Sequence, residues 1–259
     1  MPADRVFYLD PCPENEKVIV LLHGLGSDSS SWQLQMNVLI SEGYRPISVD
    51  LPGFGRSPFP YRHWNIRKAT LLIVQQVIDK FPQPVTVMGL SLGGVVAQKV
   101  IQFRPESVDK LVLASTFARL RPRLRKNLPY LGRRILQVFS GNIRKQAAMV
   151  ADHIFPLKEQ KVWHDYLYVQ VKNANPRIYR QAMVALAAFS SSRWMRHCHI
   201  PCLVVTGTKD TTVTIYDQNR LAKLIPEARH IFIQGGGHGV NVDHADEFNR
   251  ELVQFLREN

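Results

Sequence analysis

Cysteine is scarce in this chain, with only Cys12, Cys198 and Cys202 among 259 residues. A small, odd number argues against a framework of disulfides and is typical of a reducing compartment. Long apolar runs are also missing: residues 1–10 contain none, and later runs fall far short of the roughly 20 residues that a membrane span needs. We therefore expect a soluble, cytoplasmic protein without a transmembrane segment.

Acidic residues are absent from residues 116–151, although the whole chain has 21. The same stretch holds nine cationic residues, namely Arg119, Arg121, Arg123, Arg125, Lys126, Arg133, Arg134, Arg144 and Lys145. Such a field can attract nucleic acid, anionic lipid or an acidic partner, whereas a solvated basic face is the plainer explanation. We expect no nucleic-acid partner and keep an acidic protein partner and a solvated face as alternatives.

Residues 84–94 form a short apolar run that ends in Gly89-Leu90-Ser91-Leu92-Gly93 and passes into a helical pattern. A serine alcohol is a poor nucleophile. An enzyme must therefore project the serine oxygen away from the backbone and place it next to a base and to hydrogen-bond donors for the oxyanion. A sharp turn between strand and helix does this. An ordinary turn that contains serine is the structural alternative, and the flanking strand and helix patterns favour catalysis.

Strand and helix patterns alternate along most of the chain, which indicates a doubly wound, mostly parallel sheet. The predicted strands are residues 5–10, 17–22, 44–49, the run before Ser91, 110–114, 202–206 and 230–233. The alternation stops between residue 117 and about residue 198, where helical spacing predicts an inserted segment over the strand ends. We therefore expect a core of residues 1–116 and 199–259, with a helical lid of residues 117–198.

A nucleophilic serine needs a base, and the base needs a carboxylate to orient it. Asp210 and His238 follow two successive predicted strands, and the ends of parallel strands share one edge of a sheet, so both can converge on Ser91. Asp217 and Asp243 are rivals for the acid, but they fall in or beside predicted helices. His238 is favoured over the other histidines because it lies in a glycine-rich loop after the last strand.

These motifs resemble those of the small, lidded serine hydrolases with the α/β-hydrolase fold. The matching segments are His23-Gly24-Leu25-Gly26, Asp50-Leu51-Pro52-Gly53-Phe54-Gly55-Arg56-Ser57, Gly89 to Gly94, Gly207-Thr208-Lys209-Asp210 and Gly237-His238. The resemblance implies an α/β fold with a helical lid after the sixth strand. It also implies that Ser91 is the nucleophile, His238 the base and Asp210 the orienting acid.

The resemblance further implies an oxyanion hole formed by the backbone N–H groups of Leu25 and Leu92, and a loop-shaping role for His23. This chemistry requires neither a cofactor nor a metal. His197, Cys198, His199 and Cys202 form a cluster that suggests zinc. However, residues 200–205 read as the start of a buried strand, where cysteine is commonly a small core residue, so we predict no metal site.

The catalytic motifs exclude relatives that carry aspartate at the elbow, but they do not identify the substrate. Small carboxylesterases, enol-lactonases, carbon–carbon bond hydrolases and haloperoxidase-like enzymes are all similar, and so are slow-turnover binding proteins. We expect a small-molecule ester as the substrate. Candidate lid residues for an apolar acyl pocket are Phe117, Tyr130, Phe139 and Trp163, with packing within the lid as the alternative.

The basic stretch suggests a more specific comparison. Pimeloyl-carrier-protein methyl ester esterases are similar lidded hydrolases, in which lid arginines hold an acidic carrier protein. By that resemblance, the residues that would hold such a partner here are Arg121, Arg123, Arg125, Arg133 and Arg134.

Overall fold

The fold was obtained as a computed structural model, which describes residues 5–120, 132 and 141–258. The strands in this part are β1 (Tyr8–Leu9), β2 (Lys17–Leu22), β3 (Tyr44–Val49), β4 (Val85–Leu90), β5 (Val108–Ala114), β6 (Cys202–Gly207) and β7 (Ala228–Ile233). They form one sheet in the order β1-β3-β2-β4-β5-β6-β7, in which β1 is antiparallel to β3 and all other pairs are parallel. The predicted fold class is confirmed.

Helices cover both faces of this sheet. The helices of the described residues are α1 (Gln33–Ser41), α2 (Ile66–Gln76), α3 (Leu92–Phe103), α4 (Ile143–Ile154), α5 (Lys161–Asn173), α6 (Pro176–Ala188), α7 (Ser192–Met195), α8 (Ile215–Leu224), α9 (Val240–Asp243) and α10 (Ala245–Arg257). None of them is both long enough and apolar enough to cross a lipid bilayer.

The two faces of the sheet bury two separate hydrophobic clusters, because successive side chains of a strand point to opposite faces. In β2, Val20 and Leu22 join the cluster that includes α2 and α3, whereas Ile19 and Leu21 join the cluster that includes α1 and α10. All four side chains are fully buried. A strand buried on both faces needs a continuous apolar run, which explains why β2 was readable from the sequence.

Helices α4 to α7 lie in the segment between β5 and β6. The insertion therefore follows the fifth strand of this sheet, whereas the resemblance implied that it would follow the sixth. The reason is that residues 5–16 form a single two-residue strand before β2. The two ends of the insertion meet, because the backbone N–H of Ser191 donates to the carbonyl oxygen of Ala118 at 2.8 Å. The buried side chain of Gln98, on α3, bonds to both ends through Phe117 O and Ser191 Oγ.

Candidate active site

Ser91 occupies the sharp turn between β4 and α3. Its backbone has φ 52° and ψ −111°, a strained conformation for a residue with a side chain. A Cβ atom on Gly89 would overlap the backbone of Gly93, and one on Gly93 would overlap the backbone of Leu22. Only glycine therefore fits two residues before and two residues after the serine. Ser91 is 9% exposed, at the carboxyl end of β4.

Thr116, which was not singled out in the sequence, holds this turn from the neighbouring strand. Its hydroxyl donates to the carbonyl oxygen of Ser91 at 2.8 Å, and the backbone N–H of Ser91 donates to the carbonyl oxygen of Ala114 at 3.0 Å. The end of β5 thus fixes the position of the serine backbone. A polar residue just after a strand predicted to be buried was the available signal.

A tight turn beside Ser91 carries the predicted oxyanion residue Leu25. The backbone N–H of Ser27 donates to Gly24 O at 3.3 Å, and Gly26 has φ 82°, as the third residue of a type II turn requires. A Cβ atom on Gly24 would lie 3.8 Å from the Cβ of Ser91. Leu92 is the first residue of α3, where backbone N–H groups have no partner within the helix.

His23 connects the same turn to Leu51 through its two ring nitrogens. Its Nε2 accepts from the backbone N–H of Leu51 at 2.8 Å, so Nδ1 carries the proton and donates to Gly24 O at 2.7 Å. Complete burial lowers the pKa of His23, which keeps the ring neutral as these two bonds require. The contacts fit a loop-shaping role.

Asp50 fixes the loop that follows β3. Its carboxylate accepts from the backbone N–H groups of Ser29 and Arg56, each at 2.7 Å. Burial works to raise the pKa of Asp50, but these hydrogen bonds outweigh it, and the net pKa lies below the ordinary value. The side chain is saturated by contacts that hold the loop.

The structure brings Asp210 and His238 together. Nδ1 of His238 lies 2.9 Å from Oδ2 of Asp210, and both residues are less than a tenth exposed. The other carboxylate oxygen, Oδ1, accepts from the backbone N–H groups of Thr212 and Val213 at 2.8 and 2.9 Å. Their loops also bond through the backbone, with Lys209 N–H donating to Gly236 O at 2.8 Å.

The rival acids have other partners. The Oδ2 atom of Asp217 accepts from the hydroxyl of Thr214 at the start of α8. The Oδ2 atom of Asp243 accepts from the backbone N–H of Gly237 at 2.8 Å, and burial raises its pKa. Asp243 therefore bonds to the loop that carries His238, while Asp210 bonds to the imidazole itself.

Two of the predicted pocket residues lie in the described part of the chain. Phe117 is 2% exposed and packs edge-on against Phe189, with ring centroids 6.2 Å apart. Trp163 is half-buried and packs against Tyr166 in the same way, also at 6.2 Å. Both contacts are made within the insertion. The other predicted pocket residues and the predicted partner-binding arginines lie outside the described residues, namely Tyr130, Phe139, Arg121, Arg123, Arg125, Arg133 and Arg134.

The cluster that suggested zinc divides between two environments. Cys198 and Cys202 are buried free thiols, whereas His197 and His199 are exposed. Within residues 5–120, 132 and 141–258, no group of three or more histidine, cysteine or acidic side chains is placed to hold a metal ion. Burial raises the pKa of both cysteines, which disfavours the thiolate form that binds metals.

Comparison with known proteins gives one family for almost the whole chain. The pattern of the alpha/beta hydrolase family matches residues 19–251. The pimeloyl-[acyl-carrier protein] methyl ester esterase of Yersinia pestis is 25% identical over 272 residues, covering 98% of this chain and 99% of that protein.

Solved structures give the same fold. The bromoperoxidase of Bacillus anthracis superposes with a TM-score of 0.87 at 24% identity, covering 98% of this chain and 95% of that one. The enol-lactonase of Burkholderia xenovorans LB400 gives a TM-score of 0.84 at 24% identity, covering 98% and 96%. At this level of identity, the two structures establish the architecture.

Proposed function

Since this chain belongs to the alpha/beta hydrolase family, we propose that it is a serine hydrolase that cleaves a carboxylic ester through an acyl-enzyme intermediate. The observation that carries the proposal is the buried pair of Asp210 and His238, 2.9 Å apart, at the same sheet edge as Ser91 in its strained turn. A nucleophile, a base and an orienting carboxylate are the groups that acyl transfer to water requires.

In this mechanism, Asp210 accepts a hydrogen bond from the Nδ1–H group of His238, which leaves Nε2 as the atom that takes a proton. His238 removes the proton of the Ser91 hydroxyl as its oxygen attacks the ester carbonyl carbon. The alcohol leaves with that proton, and a water molecule, activated by the same imidazole, then releases the acid. The backbone N–H groups of Leu25 and Leu92 stabilise the negative oxygen that forms in both steps.

Turnover of a short-chain aryl ester tests the proposal. We expect saturable hydrolysis of 4-nitrophenyl butyrate by the wild-type protein, with a loss on the order of 10⁴-fold or more in Ser91→Ala. Ser41→Ala is the matched control, because Ser41 is exposed on α1 and bonds only to Val38 O among the described contacts. Retention of more than a few per cent of the rate in pure Ser91→Ala contradicts the proposal, and so does saturable binding without turnover.

A second candidate is hydrolysis of a methyl ester carried by an acidic carrier protein. The name of the Yersinia pestis relative and the basic stretch of residues 116–151 support it. In the described part of that stretch, Arg144 and Lys145 are exposed at the start of α4. An acidic carrier would be attracted to such a surface, and exposed charges are screened over roughly 8 Å at physiological ionic strength.

The test compares one methyl ester in its free and carrier-linked forms. The joint substitution of Arg121, Arg123 and Arg125 by Glu should raise KM for the carrier-linked form and leave kcat nearly unchanged, because these charges act on encounter. Added salt should do the same to the wild type. If both substrates respond equally to the substitutions and to salt, the carrier-protein candidate is wrong and the basic stretch is a solvated face.

A further inference from the structure

Helix α4 contacts the loops that carry Asp210 and His238. Near its C-terminal end, Nε2 of His153 lies 3.1 Å from the hydroxyl of Thr211, next to Asp210. The carbonyl oxygen of Ile154 lies close to Gly237, the residue before His238: a Cβ atom added to this glycine would be 3.7 Å from that oxygen. The last turn of α4 therefore rests on the acid and base side of the candidate site.

The first turns of α4 lie at the oxyanion side. The amide nitrogen of Gln146 is 3.5 Å from the hydroxyl of Tyr179, on α6. The ring of that tyrosine packs against Gly26, in the turn that carries Leu25. A Cβ atom added to this glycine would be only 2.8 Å from the Cε2 atom of the ring. Gln146 and Ile154 are eight residues apart, or about 12 Å along a helix. Helix α4 thus bridges the oxyanion turn and the His238 loop.

The buried face of α4 consists of Gln146, Ala147, Val150 and Ala151. This spacing places all four on one side of a helix, and three of them are apolar. Gln146 is the polar member, at 1% exposure. A primary amide on a buried, otherwise apolar face is costly unless its hydrogen bonds are made.

The hydrogen bonds of Gln146 are incomplete. Among the described residues, its Oε1 atom is buried without a partner, and the 3.5 Å contact with Tyr179 is at the outer limit for a hydrogen bond. Most buried polar atoms in folded proteins are paired, so an unpaired one calls for a specific explanation. At a candidate active site, a polar group of the substrate is such an explanation.

We propose that Gln146, assisted by Tyr179, selects esters whose acyl part carries an uncharged hydroxyl or amide group. The acyl part is specified because the ring of Tyr179 packs against the turn of Leu25, which in the proposed mechanism binds the carbonyl oxygen of that part. An uncharged group is specified because the amide and the phenol hydroxyl can donate and accept but carry no charge to balance an ion. The inference rests on the proposed esterase function.

The experiment compares 4-nitrophenyl hexanoate with 4-nitrophenyl 6-hydroxyhexanoate and with the corresponding ester that ends in a primary amide. The measured quantity is the ratio of kcat/KM for each polar ester to that for the hexanoate. Gln146→Met keeps the side-chain length but removes the hydrogen bonds, and should lower the ratio about three- to tenfold. Tyr179→Phe should lower it less, and Gln254→Met, at an exposed position of α10, should leave it unchanged.

Circular dichroism and thermal unfolding show that each variant is folded before its ratio is used. The proposal is overturned if Gln146→Met and Tyr179→Phe both keep the wild-type ratio to within about twofold while they still hydrolyse hexanoate. In that case the esterase function stands, and Gln146 has no part in the choice of substrate. Failure of the wild type to hydrolyse any of the three esters overturns both proposals.

Discussion

The side-chain amide of Gln218 donates a hydrogen bond to Oδ2 of Asp210 at 2.9 Å, the same oxygen that lies 2.9 Å from Nδ1 of His238. Gln218 is fully buried on α8 and is itself held in place. Its amide also donates to Val213 O, and its carbonyl oxygen accepts from the hydroxyl of Thr206 on β6. The carboxylate that faces the imidazole is therefore positioned by a side chain anchored to the sheet.

Gln218→Met should reduce kcat by about tenfold, because it removes a hydrogen bond to a charged group while nearly keeping the side-chain volume. The pH at half-maximal activity should also move upward. Without the donor, more negative charge remains on Oδ2, which favours the protonated imidazole. Measurement of kcat from about pH 5 to pH 9 tests both effects.

Gln254→Met serves as the matched control for this substitution, because Gln254 is an exposed glutamine on α10. It should leave the rate and the pH profile unchanged. A Gln218→Met variant that loses stability but keeps the wild-type pH profile would show that Gln218 only packs.

Asp210→Asn should lower kcat by about 10³- to 10⁴-fold with the fold retained, since an amide cannot balance the imidazolium and can select the wrong tautomer. Asp217→Asn provides the comparison, because Asp217 bonds to Thr214 at the start of the same helix that carries Gln218. We expect this second variant to lose stability more than rate. If Asp217→Asn lost most of its kcat while Asp210→Asn kept the wild-type kcat, Asp217 and not Asp210 would be the acid.

The regular elements around Ser91 were predictable because their signals are local. Strand β4 follows Pro84 and is mostly apolar, and α3 begins directly after Ser91, where the sequence passes into a helical pattern. The positions of Asp210 and His238 after β6 and β7 followed from strand order, because parallel strands end at one edge.

The supporting contacts could not be predicted, since each joins residues that are distant in the sequence. Thr116 bonds to the Ser91 backbone 25 residues away, and Gln98 bonds to the Ser191 hydroxyl 93 residues away. A polar residue on the buried face of a helix gives no indication of its partner. Gln146 is of this kind, because its contact with Tyr179 depends on how two helices of the insertion pack together.

The imidazole of His164 joins α5 to the end of α4. Its Nε2 lies 2.9 Å from Asp152, its Nδ1 lies 3.0 Å from Asp165, and these carboxylates raise its pKa above 6.5. A raised folded-state pKa stabilises the protein below pH 6.5, and the contribution is lost as the pH rises through the folded-state value.

His164→Gln should therefore lower the free energy of unfolding more at about pH 5.5 than at about pH 8.5. The difference should stay below about 1 kcal/mol, because Asp152 is largely exposed and exposed ion pairs contribute little. Urea titrations of both proteins at both pH values measure it. An equal effect at the two pH values would mean that the charge of His164 does not contribute.

Incubation with a strong chelator should leave ester hydrolysis unchanged, because serine, histidine and backbone donors supply nucleophile, base and oxyanion stabilisation. Assays before and after dialysis against the chelator measure this. A loss of rate that zinc alone restores would contradict this prediction. It would indicate a zinc site, for which the candidates are His197, Cys198, His199 and Cys202.

The most direct test of the catalytic account is to trap the acyl group on the protein. After brief mixing with excess 4-nitrophenyl butyrate and acid quenching, intact-mass and peptide mass spectrometry should find one butyryl group, on Ser91. Asp210→Asn should accumulate it more slowly, and Ser91→Ala should carry none. Hydrolysis by the wild type without a butyryl group at Ser91, or with the label on another residue, would contradict the account.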